Sequence, residues 1–198
     1  MKKPVQRRYP RYLALDGTQV EFRLMKPEDA PALTAFIDTL PVHDLLFVRR
    51  NLSHPKVIAA WLTALGKQVT SLVAVADGQL VGCTAVVVDA QSWSPHVGDL
   101  RILVAPAWRG VGLGQALIRE CVNLALSLGL EKLTVQMTVD QSAAIKTFEK
   151  LGFRPESVLR NHVKDLDGHS YDLALLSLEV SELGARATSK GMPTALNE

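Results

Sequence analysis

Hydrophobic and polar residues recur along this chain with two different periods, which separate stretches of strand from stretches of helix. Apolar positions that return every three to four residues predict four amphipathic helices, over 27–40, 55–65, 113–128 and 141–151. Alternating patterns and short apolar runs predict strands, over 20–24, 71–76, 79–88, 100–104, 132–137, 153–163 and 171–180. Asp77-Gly78 separates two of these strands and predicts a tight hairpin turn.

The order of these elements predicts an α/β (α+β) fold. A strand at 100–104, a helix at 113–128 and a strand at 132–137 follow one another directly, which implies a right-handed crossover and a parallel pair of strands. The last two strands flank a turn at 165–168 and should pair antiparallel. We therefore expect a mixed, largely antiparallel sheet with one parallel strand pair, flanked by helices.

The most informative stretch lies between the strand at 100–104 and the helix that follows it. Pro106 ends the strand because it cannot donate a hydrogen bond to a sheet. The sequence then reads R-G-V-G-L-G, with glycines at 110, 112 and 114. Glycines let a ligand approach the main chain, and the first turn of a helix offers unpaired N–H groups and a positive dipole end. This combination predicts an anion site, most naturally for phosphates.

Two familiar phosphate-binding loops do not fit this spacing. A P-loop requires Lys-Ser or Lys-Thr after its last glycine, and neither pair follows here. A dinucleotide fingerprint would need its third glycine where Gln115 or Leu117 stands. The pattern that remains is R-x-x-G-x-G, formed by Arg109, Gly112 and Gly114.

This pattern, after a strand that reads I-L-V-A-P, resembles the acetyl-CoA signature of the GNAT superfamily of acyl-CoA N-acyltransferases. A second segment, A-A-I-K-T-F-E-K-L-G-F over 143–153, resembles a later helix of that family and the strand after it. The two segments stand in the family's order, and the resemblance covers about residues 20–180. It implies a GNAT-like sheet, acetyl-CoA as cosubstrate, and acetyl transfer to a primary amine by direct attack in a ternary complex.

The resemblance also implies which residues hold acetyl-CoA. Backbone groups of the central strand would face the pantetheine arm, and the glycine turn would hold the pyrophosphate. The residues implied in this way are Ile102, Leu103, Val104, Arg109, Gly110, Val111, Gly112, Leu113, Gly114, Gln141 and Phe148. The amide N–H of Val104 would stabilise the oxyanion on the thioester carbonyl, typically by a few kcal/mol. The apolar strand residues belong in a protein core whether or not a ligand binds.

A general base is useful because an amine attacks only when neutral, whereas a lysine-like amine has a pKa of about 10.4. The resemblance makes Asp99 the candidate, since some members carry a catalytic glutamate at the matching place. Aspartate is one methylene shorter, so it would act through water. Two alternatives stay open: His96 as the base, and Asp99 as a structural residue at the start of its strand.

Three positions depart from the family. Many members have a tyrosine that protonates the leaving thiolate, but Phe148 stands at that position and has no proton to donate. Gln141 replaces a common asparagine, and Gln136 stands where some relatives have a glutamate base. These departures motivate a rival function for the same fold, a catalytically weak acyl-CoA-binding sensor or regulatory module.

The sequence does not identify the amine acceptor, which is either a small molecule or a protein lysine. Residues 42–53 correspond to the acceptor side of the cleft in relatives and include His43, Asp44, Arg49 and Arg50. The two arginines could bind a substrate carboxylate, although a solvated pair of charges is the favoured interpretation.

Length, composition and charge indicate the domain organisation of the chain and bear on nucleic-acid binding. With 198 residues, 47% of them hydrophobic, the chain fits one domain with tails. We expect an N-acetyltransferase domain over 18–180, a basic and mainly solvated arm over 1–17, and a disordered tail over 181–198. A net charge of +2 predicts no nucleic-acid partner.

The sequence also bears on membrane and metal partners, on the cellular compartment and on the oligomeric state. No run reaches the roughly 18 apolar residues of a spanning helix, so we expect no membrane partner. The two cysteines form no C-x-x-C motif and suit the core of a cytoplasmic protein. His162, Asp165, Asp167 and His169 fit no standard zinc spacing, so we expect no metal. The oligomeric state is open, a homodimer included.

Overall fold

A computed structural model of the chain describes residues 7–47, 52 and 54–181. Its strands are β1 (Arg11–Leu15), β2 (Thr18–Leu24), β3 (Val69–Ala76), β4 (Gln79–Val87), β5 (Val97–Val104), β6 (Lys132–Thr138), β7 (Arg154–Lys164) and β8 (Ser170–Glu179). Its α-helices are α1 (Ala30–Asp38), α2 (Pro55–Thr63), α3 (Leu113–Ser127) and α4 (Ser142–Lys150). Short 3₁₀ helices lie at Pro27–Asp29, Val42–Phe47 and Pro106–Trp108.

The strands form one sheet in the order β1-β2-β3-β4-β5-β6-β8-β7. Neighbouring strands are antiparallel except for β5 and β6, which run parallel because helix α3 connects them. The expected fold class, a mixed sheet with a single parallel pair, is thereby confirmed. The predicted hairpin is confirmed as well, because Asp77 and Gly78 both have positive φ between β3 and β4.

The hydrophobic pattern does not predict strand β1, which lies within the basic arm assigned to 1–17. This strand pairs with β2 through a turn at Asp16-Gly17, where both residues have positive φ. It is an edge strand, with 56% of Tyr12 and 44% of Leu13 exposed. Without a buried face, the strand has no alternation for a pattern to reveal.

Two further expectations concern a disordered C-terminal tail and the absence of a membrane-spanning helix. The tail expected over 181–198 lies outside the described residues, apart from Ser181. Among the described residues, no helix combines the length and the apolar character that a bilayer-spanning segment needs.

Two apolar layers cover the sheet and fix the elements around its centre. On one face, α3 and α4 bury side chains such as Leu117 and Phe148 against the strands. On the other face, α1 and α2 bury Leu33 and Ile58. The helix that follows the glycine turn is therefore packed firmly against β4 and β5.

Candidate active site

The centre of the sheet contains a gap between its two parallel strands. Residues 97–99 of β5 pair with residues 132–134 of β6, and the pairing stops there. By contrast, β5 stays paired with β4 over residues 99–104. The described chain therefore supplies no strand partner for residues 100–104 on the β6 side. Such an edge can accept an extended ligand that carries its own amide groups.

The backbone of Val104 faces this gap. Ala105 N–H donates to Val81 O on the β4 side at 2.9 Å. Because consecutive residues of a strand direct their N–H and C=O groups to opposite sides, those of Val104 face away from β4. A hydrogen bond from Arg109 is consistent with this direction, because Nη2 of its guanidinium donates to Val104 O at 3.3 Å.

A cavity of about 470 Å³ opens beside this gap. Most of the residues predicted to hold acetyl-CoA line it, namely Ile102, Leu103, Val104, Arg109, Gly110, Gly112, Gly114, Gln141 and Phe148. Two others, Val111 and Leu113, are not part of the lining. The side chain of Leu113 is fully buried in the core, so this residue can face a ligand only through its backbone.

The glycine turn forms one end of the cavity. Gly112 is the N-cap of α3 and has φ +92°, a left-handed conformation that favours glycine. The 15 residues of α3 then begin with N–H groups that have no partner inside the helix, next to the positive end of its dipole. The turn therefore presents N–H groups toward the cavity in the way that anion sites do, and the anion site itself stays a prediction.

Comparison with known proteins decides the family. The family model described as "Acetyltransferase (GNAT) family" matches residues 37–153, which contain the gap, the glycine turn and α4. The chain belongs to the GNAT acetyltransferase family. The resemblance of the two sequence segments to this family is thereby confirmed.

Curated GNAT relatives match part of the chain. The L-amino acid N-acetyltransferase AaaT of Escherichia coli (strain K12) is 33% identical over 89 residues, which are 44% of this chain and 55% of the relative. The putative phosphinothricin acetyltransferase YwnH of Bacillus subtilis (strain 168) is 34% identical over 83 residues, or 42% and 50% of the two chains. The chain thus spans about half the length of these relatives.

Solved structures share the fold over more of the chain. A GNAT-family acetyltransferase from Streptococcus pneumoniae superposes with a TM-score of 0.68 at 22% identity, covering 81% of this chain and 99% of that one. A ribosomal-protein-alanine N-acetyltransferase from Brucella melitensis has a TM-score of 0.69 at 22% identity, covering 80% and 98%. At this identity, the likeness shows the fold alone.

In this GNAT protein, the 3₁₀ helix Val42–Phe47 spans the two sides of the cavity. On the β5 side, Asp44 accepts a hydrogen bond from Nη2 of Arg109, and both residues line the cavity. On the β6 side, His43 Nε2 lies 2.7 Å from Oδ2 of Asp140, just before α4. The 3₁₀ helix is therefore held at both sides by charged or polar contacts. Arg49 and Arg50, predicted from the same segment, lie outside the described residues.

Asp99 does not line this cavity. Its Oδ2 accepts a hydrogen bond from Arg101 Nε at 3.1 Å and lies 3.0 Å from Nη2 of the same guanidinium. The pair lies on the sheet face covered by α1 and α2, because the alternate residues Leu100 and Ile102 are buried on the α3 face. His96 is exposed in the loop before β5 and lines neither described cavity. Its role and that of Asp99 stay predictions.

The two departures on or beside α4 have distinct surroundings. Phe148 is 1% exposed and packs edge-on against Phe153, with ring centroids 5.0 Å apart. Gln141 is the N-cap of α4, and its Oε1 is buried without a hydrogen-bond partner in the described part of the chain. A buried, unpaired amide oxygen beside a cavity fits a site that a polar ligand completes.

The cysteines do not take part in this site. Cys83 and Cys121 are fully buried on opposite faces of the sheet, and neither lines a described cavity. Burial raises the pKa of both thiols, that of Cys121 to about 12. Thiols in this state are poor nucleophiles at neutral pH.

Three residues near the last turn lie close together. Ligand atoms of Asp165, Asp167 and His169 all lie within 4.8 Å of one another. The carboxylate of Asp165 accepts from the backbone N–H groups of Asp167 at 3.0 Å and His169 at 2.9 Å, and from the hydroxyl of Tyr171 at 2.9 Å. These hydrogen bonds stabilise the turn and explain why the three side chains lie close together. The expectation of no metal stays a prediction.

Sequence reasoning missed residues that the structure shows in contact with the predicted ones. It did not single out Arg101 or Asp140, and it regarded Asp44 as a weak candidate. Arg101 gave one signal that could have been used, because it is a charged residue two positions from Asp99 in an otherwise apolar strand. Asp140 gave none.

Proposed function

We propose that this protein transfers an acetyl group from acetyl-CoA to a primary amine by direct attack in a ternary complex. The observation that carries this proposal is the interrupted pairing of β5 and β6, which opens into a cavity ending at the glycine turn. An extended thioester with amides along its length and a diphosphate at one end matches these features in the same order.

The chain's own residues suit each part of acetyl-CoA. The N–H groups at the start of α3 and the guanidinium of Arg109 would bind the diphosphate. The unpaired Oε1 of Gln141 would accept a hydrogen bond from an amide of the pantetheine arm. Backbone groups of β5 that face the gap would pair with that arm as a neighbouring strand does.

Catalysis would depend on polarisation of the thioester carbonyl. The N–H of Val104 faces the gap and can donate to the oxygen as negative charge develops there. A donor of this kind typically lowers the barrier by a few kcal/mol. The amine nitrogen then attacks the carbonyl carbon and the C–S bond breaks.

Few side chains are candidates for removing a proton from the amine or for protonating the leaving sulfur. Asp99 is the candidate that removes the proton from the incoming ammonium. It would act through water, because its side chain is short and Val104 lies five positions, or about 16 Å, further along β5. Phe148 cannot protonate the leaving sulfur, which can leave as a thiolate because a thiol pKa lies near 8.5. The two buried cysteines give no support to a covalent acyl-enzyme.

Among the curated relatives, the E. coli protein AaaT is named for L-amino acids and YwnH for phosphinothricin. These names support small amines that carry an acidic group as the first acceptors to test.

Steady-state release of CoA with a panel of amines tests the proposal. We expect acetyl-CoA saturation and turnover that depends on the acceptor. Saturable binding of acetyl-CoA without acceptor-dependent turnover would instead identify a sensor of the same fold. Competition by ATP or NAD at the same site would indicate a nucleotide-binding protein.

A further inference from the structure

The acceptor amine would approach the gap from the side that acetyl-CoA does not occupy. On the side of α3 and α4, the gap opens into the cavity of about 470 Å³, which acetyl-CoA would occupy. We call the opposite side of β5 and β6 the acceptor face. On this face the sheet presents polar side chains at alternate positions, among them Asp99, Arg101 and Thr134.

Asp99 and Arg101 form an ion pair where the gap begins. Asp99 belongs to the last paired position of β5 and β6, and Arg101 follows it within the open part of the strand. The side chains are 21% and 20% exposed, so the pair is mostly desolvated but reachable. The Nε–H of Arg101 donates to the Asp99 carboxylate, and Nη2 lies 3.0 Å from the same oxygen. A guanidinium has five donors, so another edge can take a second carboxylate.

A second cavity, of about 290 Å³, adjoins this ion pair. Arg101 forms part of its wall, and most of the remaining lining is apolar, with Val57 and Trp61 from α2 and Val87 from β4. The indole nitrogen of Trp61 already donates to Ser71 Oγ at 2.9 Å, so this residue presents an apolar surface to the cavity. The cavity therefore suits an aliphatic or thioether side chain.

We propose that the acceptor is a free α-amino acid with an apolar side chain, an inference that rests on the proposed acetyl transfer. An α-amino acid carries an ammonium and a carboxylate on one carbon, and Asp99 and Arg101 offer the complementary charges side by side. Arg101 binds the carboxylate, the second cavity takes the side chain, and the ammonium faces the gap, where Asp99 accepts its proton through water. Arg101 is accordingly a specificity-determining residue.

The charges balance through the transfer. One ammonium proton passes by water to the Asp99 carboxylate, which frees the nitrogen lone pair. The lone pair forms the bond to the acetyl carbonyl carbon, and the C–S bond breaks with its electrons on the sulfur. The second proton leaves the nitrogen for that sulfur, so the products are the N-acetyl amino acid, CoA thiol and a protonated Asp99.

Kinetics with matched acceptors test the recognition of the carboxylate. L-leucine and L-leucinamide share the side chain and differ in the carboxylate. Because the amide lowers the pKa of the amine, kcat/KM is calculated for both on the concentration of the neutral amine. Because a charge-assisted hydrogen bond is lost, we expect kcat/KM to be at least about tenfold higher for L-leucine. In Arg101→Gln, the ratio between the two acceptors should fall toward one. This ratio is insensitive to partial misfolding and to any indirect effect on Asp99, because both affect the two acceptors equally.

A second pair of variants tests the cavity. Ala60 lines it, whereas the neighbouring Ala59 is exposed on the same helix and does not. Ala60→Leu should lower kcat/KM for L-leucine about 10- to 100-fold relative to glycine, because the apolar side chain loses its site. Ala59→Leu should keep the preference for L-leucine over glycine.

The outcomes separate the two proposals. If no amine supports turnover, the proposed acetyl transfer fails, and this inference fails with it. If L-leucinamide, a polyamine or a lysine-containing peptide is acetylated as well as or better than L-leucine, acetyl transfer stands and the amino-acid acceptor is overturned. A leucine-to-leucinamide ratio that Arg101→Gln leaves intact would likewise overturn the role of Arg101.

Discussion

Asp44 and Arg109 form an ion pair across the mouth of the cavity, although 65 positions separate them in the chain. Arg109 is also the residue proposed to bind the diphosphate of acetyl-CoA. The carboxylate of Asp44 and a phosphate would therefore compete for one guanidinium. Binding of acetyl-CoA would then release the 3₁₀ helix Val42–Phe47 from the β5 side of the cavity.

Asp44→Asn should tighten acetyl-CoA binding about two- to fivefold. Arg109 is 47% exposed, so the pair contributes only about 0.2–1 kcal/mol. Isothermal titration calorimetry measures the change in Kd. Asp38→Asn, at the exposed end of α1, is a matched control for loss of one negative charge. Weaker binding in Asp44→Asn would mean that Asp44 orients Arg109 instead of competing for it.

Gly112→Ala should weaken acetyl-CoA binding about tenfold or more. Its φ of +92° costs an L-residue roughly 1–2 kcal/mol, and the turn relaxes away from the geometry that presents N–H groups. Gly129→Ala is the control, because Gly129 has φ +73° at the other end of α3. Both variants should lose similar thermal stability, and only Gly112→Ala should raise the Kd. Equal Kd values would contradict the placement of the diphosphate.

Asp99→Asn should lower kcat about 100-fold or more while the Kd for acetyl-CoA changes little, because a general base typically contributes at least that factor. Asp99→Glu should recover part of the activity, since it keeps the carboxylate. The pH profile of kcat decides the matter. Activity equal to that of the parent at every pH would show that Asp99 is not the base.

Asp29→Asn should reduce the free energy of unfolding by about 1 kcal/mol at pH 7. Hydrogen bonds from Arg23, at 2.7 and 2.8 Å, are the main cause that lowers the pKa of Asp29. A lowered folded-state pKa stabilises the protein above the unfolded value of about 4 and loses that effect as the pH falls below it. Urea unfolding at pH 7 and pH 3 should therefore show a difference between parent and variant that shrinks in acid. A difference that stays constant would exclude this linkage.

Glu120→Gln should destabilise the protein by about 1–3 kcal/mol. This residue is 7% exposed on α3, and its carboxylate accepts from Arg7 at 2.6 and 3.0 Å and from the Tyr9 hydroxyl at 3.0 Å. Chemical denaturation measures the loss. Glu149→Gln, on the exposed side of α4, should have little effect. If both substitutions are neutral, the N-terminal segment is not held by Glu120.

Local features of the sequence determined much of the fold. Pro106, the three glycines after it and the amphipathic pattern of α3 act within a few residues of one another, so they predict strand, turn and helix without knowledge of the rest. The order of strand, helix and strand also determined the parallel pair, because a helix that crosses the sheet returns the chain to run in the same direction. Strand β1 was not predicted, because an edge strand needs no apolar face and therefore shows no alternating pattern.

Only the tertiary structure decided what surrounds the gap. Three features depend on how distant segments pack. They are the point at which the pairing of β5 and β6 stops, the sheet face that Asp99 and Arg101 share with the second cavity, and the contact between Asp44 and Arg109. Contacts between distant segments leave no period in the sequence, because each partner's pattern reflects only its own strand or helix. The sequence therefore determined the glycine turn and the family, whereas packing decided the surroundings in which an acceptor would meet the thioester.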